Sequence, residues 1–419
     1  MLKRIALFVL TALAMTACAT ERAPERAASL PQSWELMRDL KAGGWEPPFF
    51  EGTVRTFPDG YHLDLARRAL AHPTTSITVG GFDYRTSPEL IAAGQEIFRT
   101  YHFGSHLYWD FRRTIDHATG ITKPEDYETI YGVKRDAEGY FVGIVGVKRA
   151  NGDVDYGHSC ALCHSNVADD RTIVDGMANH DYDIGRYYDA LRTKISDPEV
   201  ISLGDSALDV LRFSGPGRTD STVDSHWAPM RVPHLYALRA FEHGVRANGD
   251  MPNLWIQCYR NLNAAYAVDS EIMEAVMAYM LALKPPANPR KRGEREQRGE
   301  AVFEAQRCHR CHLPPYYTDG QVVDWSVIRT DSDRIVNGYP KGYKVASLLR
   351  LDQYKLYLHD GSLTELTQLF DPARLQPSYE APGIPTGRRK QGMGVPGHMF
   401  GMRLSPDDRA ALVAFLNAL

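Results

Sequence analysis

Two stretches of the chain repeat one pattern of chemistry-bearing residues: Cys160-Ala161-Leu162-Cys163-His164 and Cys308-His309-Arg310-Cys311-His312. Each holds two thiols one helical turn apart, followed at once by an imidazole. Two such thiols can each add to one vinyl group of the same porphyrin while the adjacent imidazole reaches the iron, which makes C-x-x-C-H the attachment sequence of c-type haem. The expectation is two covalently bound haem c groups, attached through Cys160, Cys163, Cys308 and Cys311, with His164 and His312 as proximal axial ligands. A zinc site built from both pairs needs them roughly 15 to 20 residues apart, whereas residues 164–307 separate them here. Redox-active C-x-x-C disulfides give no reason for a histidine after both pairs. Cys258, in Trp255-Ile256-Gln257-Cys258, has no cysteine left to pair with and reads as a buried structural thiol.

A haem passes electrons when both axial positions are filled and becomes a reaction site when one is open. For the second haem the distal candidates follow Asp360: Met393, His398, Met399 and Met402, of which His398, in Gly397-His398-Met399-Phe400-Gly401, is favoured. For the first haem they are His180, His226, His234 and His243, and nothing in the sequence separates them. No catalytic residue is singled out.

The remaining cysteine, Cys18, belongs to the N-terminus. Lys3-Arg4, an apolar run over residues 5–13 and the small residues before Cys18 read as a secretory signal over residues 1–17. Met15-Thr16-Ala17-Cys18 is similar to a bacterial lipobox with Met in the place usually held by Leu, so Cys18 is the expected lipidation site and first mature residue. The alternative is a soluble periplasmic protein that loses Cys18 with its signal. Ala19 in place of Asp is similar to lipoproteins sorted to the outer membrane. The expected location is the periplasm of a Gram-negative bacterium, with membrane contact only through the lipid anchor.

The 419 residues are 43% hydrophobic and 24% charged, enough apolar material for two or three packed domains. Lys and Arg number 48 against 52 Asp and Glu, a formal charge of -4, so no basic field exists to hold nucleic acid.

The elements that must position the motifs are written twice. Ser87-Pro88-Glu89 starts a helix, with Ser as N-cap and Pro at the first helical position, and Ser405-Pro406-Asp407 starts another. Gly94-Gln95-Glu96-Ile97-Phe98 is echoed by Gly299-Glu300-Ala301-Val302-Phe303, and residues 275–283 are echoed by residues 411–419. The glycines permit close approach where an opening and a closing helix cross, and Phe98 with Tyr279, and Phe303 with Phe415, would fill the two crossings. Residues 285–295, rich in Pro and basic side chains, read as a linker. Residues 99–159 form an insertion expected to cover the first haem.

An opening helix, C-x-x-C-H and a closing helix with an aromatic is the plan of a class I cytochrome c domain. The fold expected is therefore mainly α: two tandem class I cytochrome c-like domains with long loops and an N-terminal extended arm. The boundaries are a lipoprotein-type signal peptide at 1–17, the arm at 18–86, the first haem domain with its insertion at 87–284, the linker at 285–295 and the second haem domain at 296–419.

Residues 88–419 also resemble a family. Glu96-Ile97-Phe98-Arg99 with Phe103-Gly104 and Trp109, Ser159 through His164, Tyr357-Leu358-His359-Asp360-Gly361-Ser362, Leu369 through Leu375, and Gly397-His398-Met399-Phe400-Gly401 are similar to motifs of the rubber oxygenase-like diheme cytochromes. These are relatives of the bacterial diheme cytochrome c peroxidases and of the diheme enzyme that matures tryptophan tryptophylquinone. The resemblance implies an N-terminal haem that binds oxygen or peroxide and a low-spin C-terminal haem that passes electrons, with His398 as distal ligand of the second. In the peroxidases a removable distal histidine stands sixteen residues after the proximal one, the place of His180 relative to His164. Their acid-base glutamate follows a glutamine like Gln257, but Asn261, Asn263 and Ala264 follow here, and the nearest carboxylates are Asp269 and Glu271. That departure weakens a plain peroxidase reading and leaves the oxygenase-like one standing.

Two functions from different classes follow. One is an exported diheme oxidoreductase acting on peroxide, dioxygen or a small organic substrate, served by an electron donor or acceptor protein. The other is a non-catalytic diheme carrier for a periplasmic or outer-membrane partner.

Overall fold

The computed structural model describes residues 52–103, 123–152, 154–185, 214–219, 229–241, 253–262, 268–330, 342–384 and 394–419. The expected signal peptide, Cys18 and residues 18–51 of the arm lie outside the described residues. Described helices, in chain order, are α1 (Tyr61–Leu70), α2 (Pro88–Thr100), α3 (Pro124–Tyr131), α4 (Ala161–His164), α5 (Leu254–Leu262), α6 (Ser270–Ala282), α7 (Glu294–Ala305), α8 (Trp325–Ile328) and α9 (Pro406–Asn417).

Two helix pairs cross as their glycines demand. Ser87 Oγ accepts the Leu90 amide at 3.0 Å to start α2, and Ser405 Oγ accepts the Asp408 amide at 3.2 Å to start α9. A Cβ on Gly94 would lie 1.9 Å from the Ala275 carbonyl oxygen of α6, and one on Gly299 would lie 2.0 Å from that of Ala411 in α9. Only glycine lets either pair of backbones come this close. The rings of Phe98 and Tyr279 then meet at 5.5 Å, and those of Phe303 and Phe415 at 5.4 Å. Each crossing anchors its own apolar core, with Leu90, Ile97 and Ala275 in the first and Phe370, Leu412 and Leu416 in the second. Residues 283–293 connect α6 to α7 without helix or strand.

The mainly α expectation is overturned: among the described residues 38% are helical and 16% are in strands that form several small sheets. The molecule is not a plain tandem of class I cytochrome c-like domains with an extended arm. Residues 52–86 are folded, with β1 (Arg55–Pro58), helix α1 and a hairpin of β2 (Thr75–Val79) and β3 (Phe82–Thr86). Helix α1 buries His62, Ala66 and Ala69, a stripe at helical spacing that joins it to the first core. Strand β1 runs parallel to β4 (Ile144–Lys148), Arg55 opposite Val145, and β4 runs antiparallel to β5 (Val154–His158), Ile144 opposite His158.

The insertion between Phe98 and Cys160 thus delivers the first motif. Strand β5 runs straight into Ser159-Cys160, where the Ser159 amide donates to Gly143 at 2.9 Å and its hydroxyl to the Arg99 carbonyl at 2.6 Å. Gly143, at φ +84°, lies so near the motif that a Cβ there would stand 2.1 Å from the Leu162 amide nitrogen. After the motif, β6 (Ser165–Val167) and β7 (Ile173–Asp175) turn the chain back. Asp175 fastens this hairpin to the helix crossing: it accepts from Arg99 Nε at 2.7 Å, Ser165 Oγ at 2.7 Å and Tyr279 Oη at 2.5 Å.

Candidate haem-binding site

The two motifs share their local geometry although one lies in an α-turn and the other in a tighter 3-10 turn over Cys308–Arg310. In each, the histidine amide donates to the carbonyl of the first cysteine at 3.0 Å. In each, the histidine Nδ1–H donates to a backbone carbonyl: His164 to Pro233 at 3.2 Å and His312 to Tyr317 at 3.1 Å. A neutral imidazole whose Nδ1 carries the proton keeps its lone pair on Nε2, the form that binds a metal. Burial favours that neutral form, pushing His164 down to about 4 and lowering His312 as well. Burial also pushes the Cys160 and Cys163 thiols up to about 12 and Cys308 up to about 11, so they stand protonated. All five described cysteines are unpaired.

Both motifs open onto one cavity of about 1240 Å³, lined by Cys160, Cys163, His164, Cys308, Cys311 and His312 among others. That exceeds the roughly 300–1,000 Å³ of a pocket for one small molecule. Among the described residues no group of three or more His, Cys, Asp or Glu side chains converges on a metal position, so the donors do not make a tetrahedral zinc site. A porphyrin iron needs only one or two protein ligands, and the donors present fit it.

At the second motif, His398 supplies the opposing ring. Its centroid lies 6.3 Å from that of His312, with the planes inclined at 57°. With about 2.0–2.1 Å per metal–nitrogen bond, rings at this separation would be within reach of one shared metal. His398 is half-buried, but its Nδ1 is buried without a hydrogen-bond partner among the described residues, and burial, then the neighbouring His312, pushes it down to about 4. The loop that presents it is strained: Gly397 has φ +95° and His398 itself φ +47°. Of the other candidates, Met399 is largely exposed and Met393 lies outside the described residues.

At the first motif neither described candidate is placed as His398 is to His312. His180 is buried, but Nδ1 accepts the Lys355 amide at 2.9 Å and Nε2–H donates to the Val232 carbonyl at 3.3 Å, so neither nitrogen is free for iron. His234 stacks on His180 at 5.7 Å, and its Nδ1 accepts the Ala178 amide at 2.9 Å. Its proton therefore sits on Nε2, which is buried in the cavity wall without a partner. His226 and His243 lie outside the described residues. Gln257 lines the cavity with an unpartnered Oε1, whereas neither Asp269 nor Glu271 does; Glu271 pairs instead with Arg67 at 3.1 Å. Cys258 is buried with its sulfur 4.0 Å from Met280 Sδ, as a structural thiol would be.

Four residues that sequence reasoning passed over stand in or behind the cavity wall. Arg231 lines the cavity with Nη1 unpartnered, and Lys344 lies 4.0 Å over the Phe241 ring. These cations suit the two carboxylates of a porphyrin. Arg374 and Arg218 are buried and, among the described residues, hydrogen-bonded to backbone carbonyls alone. Arg374 donates to Leu369, Val395, Gly397 and His398, and Arg218 to Pro216, Asp360, Gly361 and Gly383. The available signal for Arg374 was its place in Asp371-Pro372-Ala373-Arg374-Leu375.

No protein-family model matches the chain, and no curated protein matches it. Among solved structures it is similar to a MauG-like protein associated with microbial copper homeostasis, at 18% identity and a TM-score of 0.34, over 46% of this chain and 73% of that one. It is also similar to the hydrazine synthase of Kuenenia stuttgartiensis, at 17% identity and a TM-score of 0.31, over 46% of this chain and 73% of that one. Both overlaps are partial, and the chemistry of this chain is carried by its own side chains.

Proposed function

We propose that the chain is an exported diheme c-type cytochrome oxidoreductase. Cys160, Cys163 and His164 would hold the first haem, which would meet peroxide, dioxygen or a small organic substrate; Cys308, Cys311, His312 and His398 would hold the second, which would exchange electrons with a partner protein. The observation that supports this division is the asymmetry of the imidazoles. The ring of His398 lies 6.3 Å from that of His312, within reach of a shared metal, while His180, the candidate for His164, has both ring nitrogens hydrogen-bonded.

Bound haem supplies an iron that can change oxidation state and, where one face is free, take a small ligand. The chain supplies the rest. The cysteine pairs hold each group covalently, and the Pro233 and Tyr317 carbonyls orient the proximal rings. Arg231 offers an unpartnered Nη1 to an anionic edge, and Gln257 an acceptor in the cavity wall. Export and acylation at Cys18 belong to the same reading, and would place the protein on the periplasmic face of the outer membrane. Among the described residues no helix is long and apolar enough to cross a membrane.

Ferric electron paramagnetic resonance of protein matured in a host competent for c-type haem attachment tests the division. One high-spin and one low-spin signal are expected. Two low-spin signals in the oxidised protein, with the haem that stays ferric after half-reduction still low-spin, would overturn it in favour of a carrier.

A further inference from the structure

One peptide group links the proximal histidine of the first motif to the second half of the chain. The carbonyl of Pro233 accepts the Nδ1–H of His164 at 3.2 Å, and the amide of the same peptide unit, the N–H of His234, donates to the phenol oxygen of Tyr354 at 3.0 Å. The phenol is held in place from several sides. Its ring packs on His234 at a centroid distance of 3.8 Å, the Arg231 guanidinium lies 4.2 Å over it, and its backbone carbonyl accepts the Tyr357 hydroxyl at 3.1 Å.

The second motif uses the same first step and a different second one. There His312 donates to the Tyr317 carbonyl, but the amide of that peptide, the N–H of Thr318, donates to the Leu313 carbonyl of its own loop at 3.1 Å. Only the first site passes the bond on to a side chain from the other half.

We propose that Tyr354 is a positioning residue that sets the electron-donating strength of His164. An amide that donates a hydrogen bond polarises its peptide group, and the carbonyl becomes a stronger acceptor. A stronger acceptor draws the Nδ1 proton of His164 and raises the basicity of Nε2 toward a metal. More electron density on the iron favours its oxidised state, so the Tyr354 hydroxyl holds the first haem at a lower reduction potential than it would otherwise have. The proposal rests on the diheme reading above.

Tyr354→Phe keeps the ring on His234 and under Arg231 and removes only the acceptor. Tyr236→Phe, which removes a buried hydroxyl bonded to the Asp175 carbonyl two residues from His234, is the control. In a spectroelectrochemical titration of the holoprotein, the first haem is identified as the wave lost in Cys160→Ala/Cys163→Ala. Tyr354→Phe should move that wave to a more positive potential and leave the second in place, with Tyr236→Phe moving neither and covalent haem content unchanged in both. An unmoved first wave, an equal shift of both waves, or an equal shift in Tyr236→Phe would overturn the role of Tyr354. Full covalent haem in Cys160→Ala/Cys163→Ala would instead overturn the diheme reading, whatever Tyr354 does.

Discussion

Arg374, wholly buried, donates from Nη2 to the carbonyl of His398 at 3.0 Å and to that of Gly397 at 2.6 Å, clamping the residue that faces His312 by its backbone. No carboxylate pairs with this guanidinium among the described residues, and burial pushes it down to about 10. A buried charge bonded only to carbonyls is costly to remove, because its acceptors then lie unsatisfied. Arg374→Lys offers one ammonium for four carbonyls spread over residues 369–398. It should lower stability by about 3 kcal/mol and raise the high-spin fraction of the second haem, as His398 loses its fixed position. A variant that loses stability with its haem spectrum untouched would show that the clamp serves the fold and not the ligand.

His398→Ala tests the ligand itself. Removing the ring takes away the imidazole opposite His312, and the second haem should turn from low-spin to high-spin while its covalent attachment persists. The ferric spectrum and carbon monoxide binding to the reduced protein report this directly. An unchanged low-spin spectrum would move the ligand to a neighbouring methionine.

How far the sequence could be read depended on how local each signal was. The Ser-Pro helix starts and the Gly94 and Gly299 crossings are encoded within a few residues each, and both stand in the structure as expected. The folded arm and the sheets were missed for a different reason. Strands of three to five residues carry little periodicity, and β1 is completed only by β4, almost ninety residues away. One local signal was present, since Asn151-Gly152 marks the β4–β5 turn, but it sat inside a stretch taken for a covering loop. Arg374 and Arg218 break the rule that arginine stays exposed, and no pattern announces such an exception. The contact of Tyr354 with the His234 amide joins segments 120 residues apart and has no sequence signature.

The two helix crossings should fail alike. Gly94→Ala and Gly299→Ala each drive a methyl into a backbone oxygen that cannot rotate away, so the helices must separate. Each should lose about 3 kcal/mol. Gly293→Ala is the contrast: its new methyl would meet only the Glu296 carboxylate, at 3.4 Å, and should cost little. Thermal unfolding of the three variants decides, and equal midpoints in all of them would contradict the close approach.

His62 gives the fold an acid-sensitive point away from the haem motifs. Its ring is buried among Phe57, Tyr61 and Tyr101, and Nε2–H donates to Thr100 Oγ1 at 2.9 Å. Burial first, then the nearby His102, pushes it down to about 4 from an ordinary 6.5. Between those two values the unfolded chain binds a proton that the folded chain refuses, so stability falls as the pH drops from 6.5 toward 4. His62→Gln keeps a donor for Thr100 and has no proton to take up. Its stability should therefore fall less than the parent's between pH 7 and pH 5, by about 2 kcal/mol. Urea unfolding of both proteins at the two pH values measures the difference. Parallel losses would mean that His62 is as free to protonate in the folded protein as in the unfolded chain.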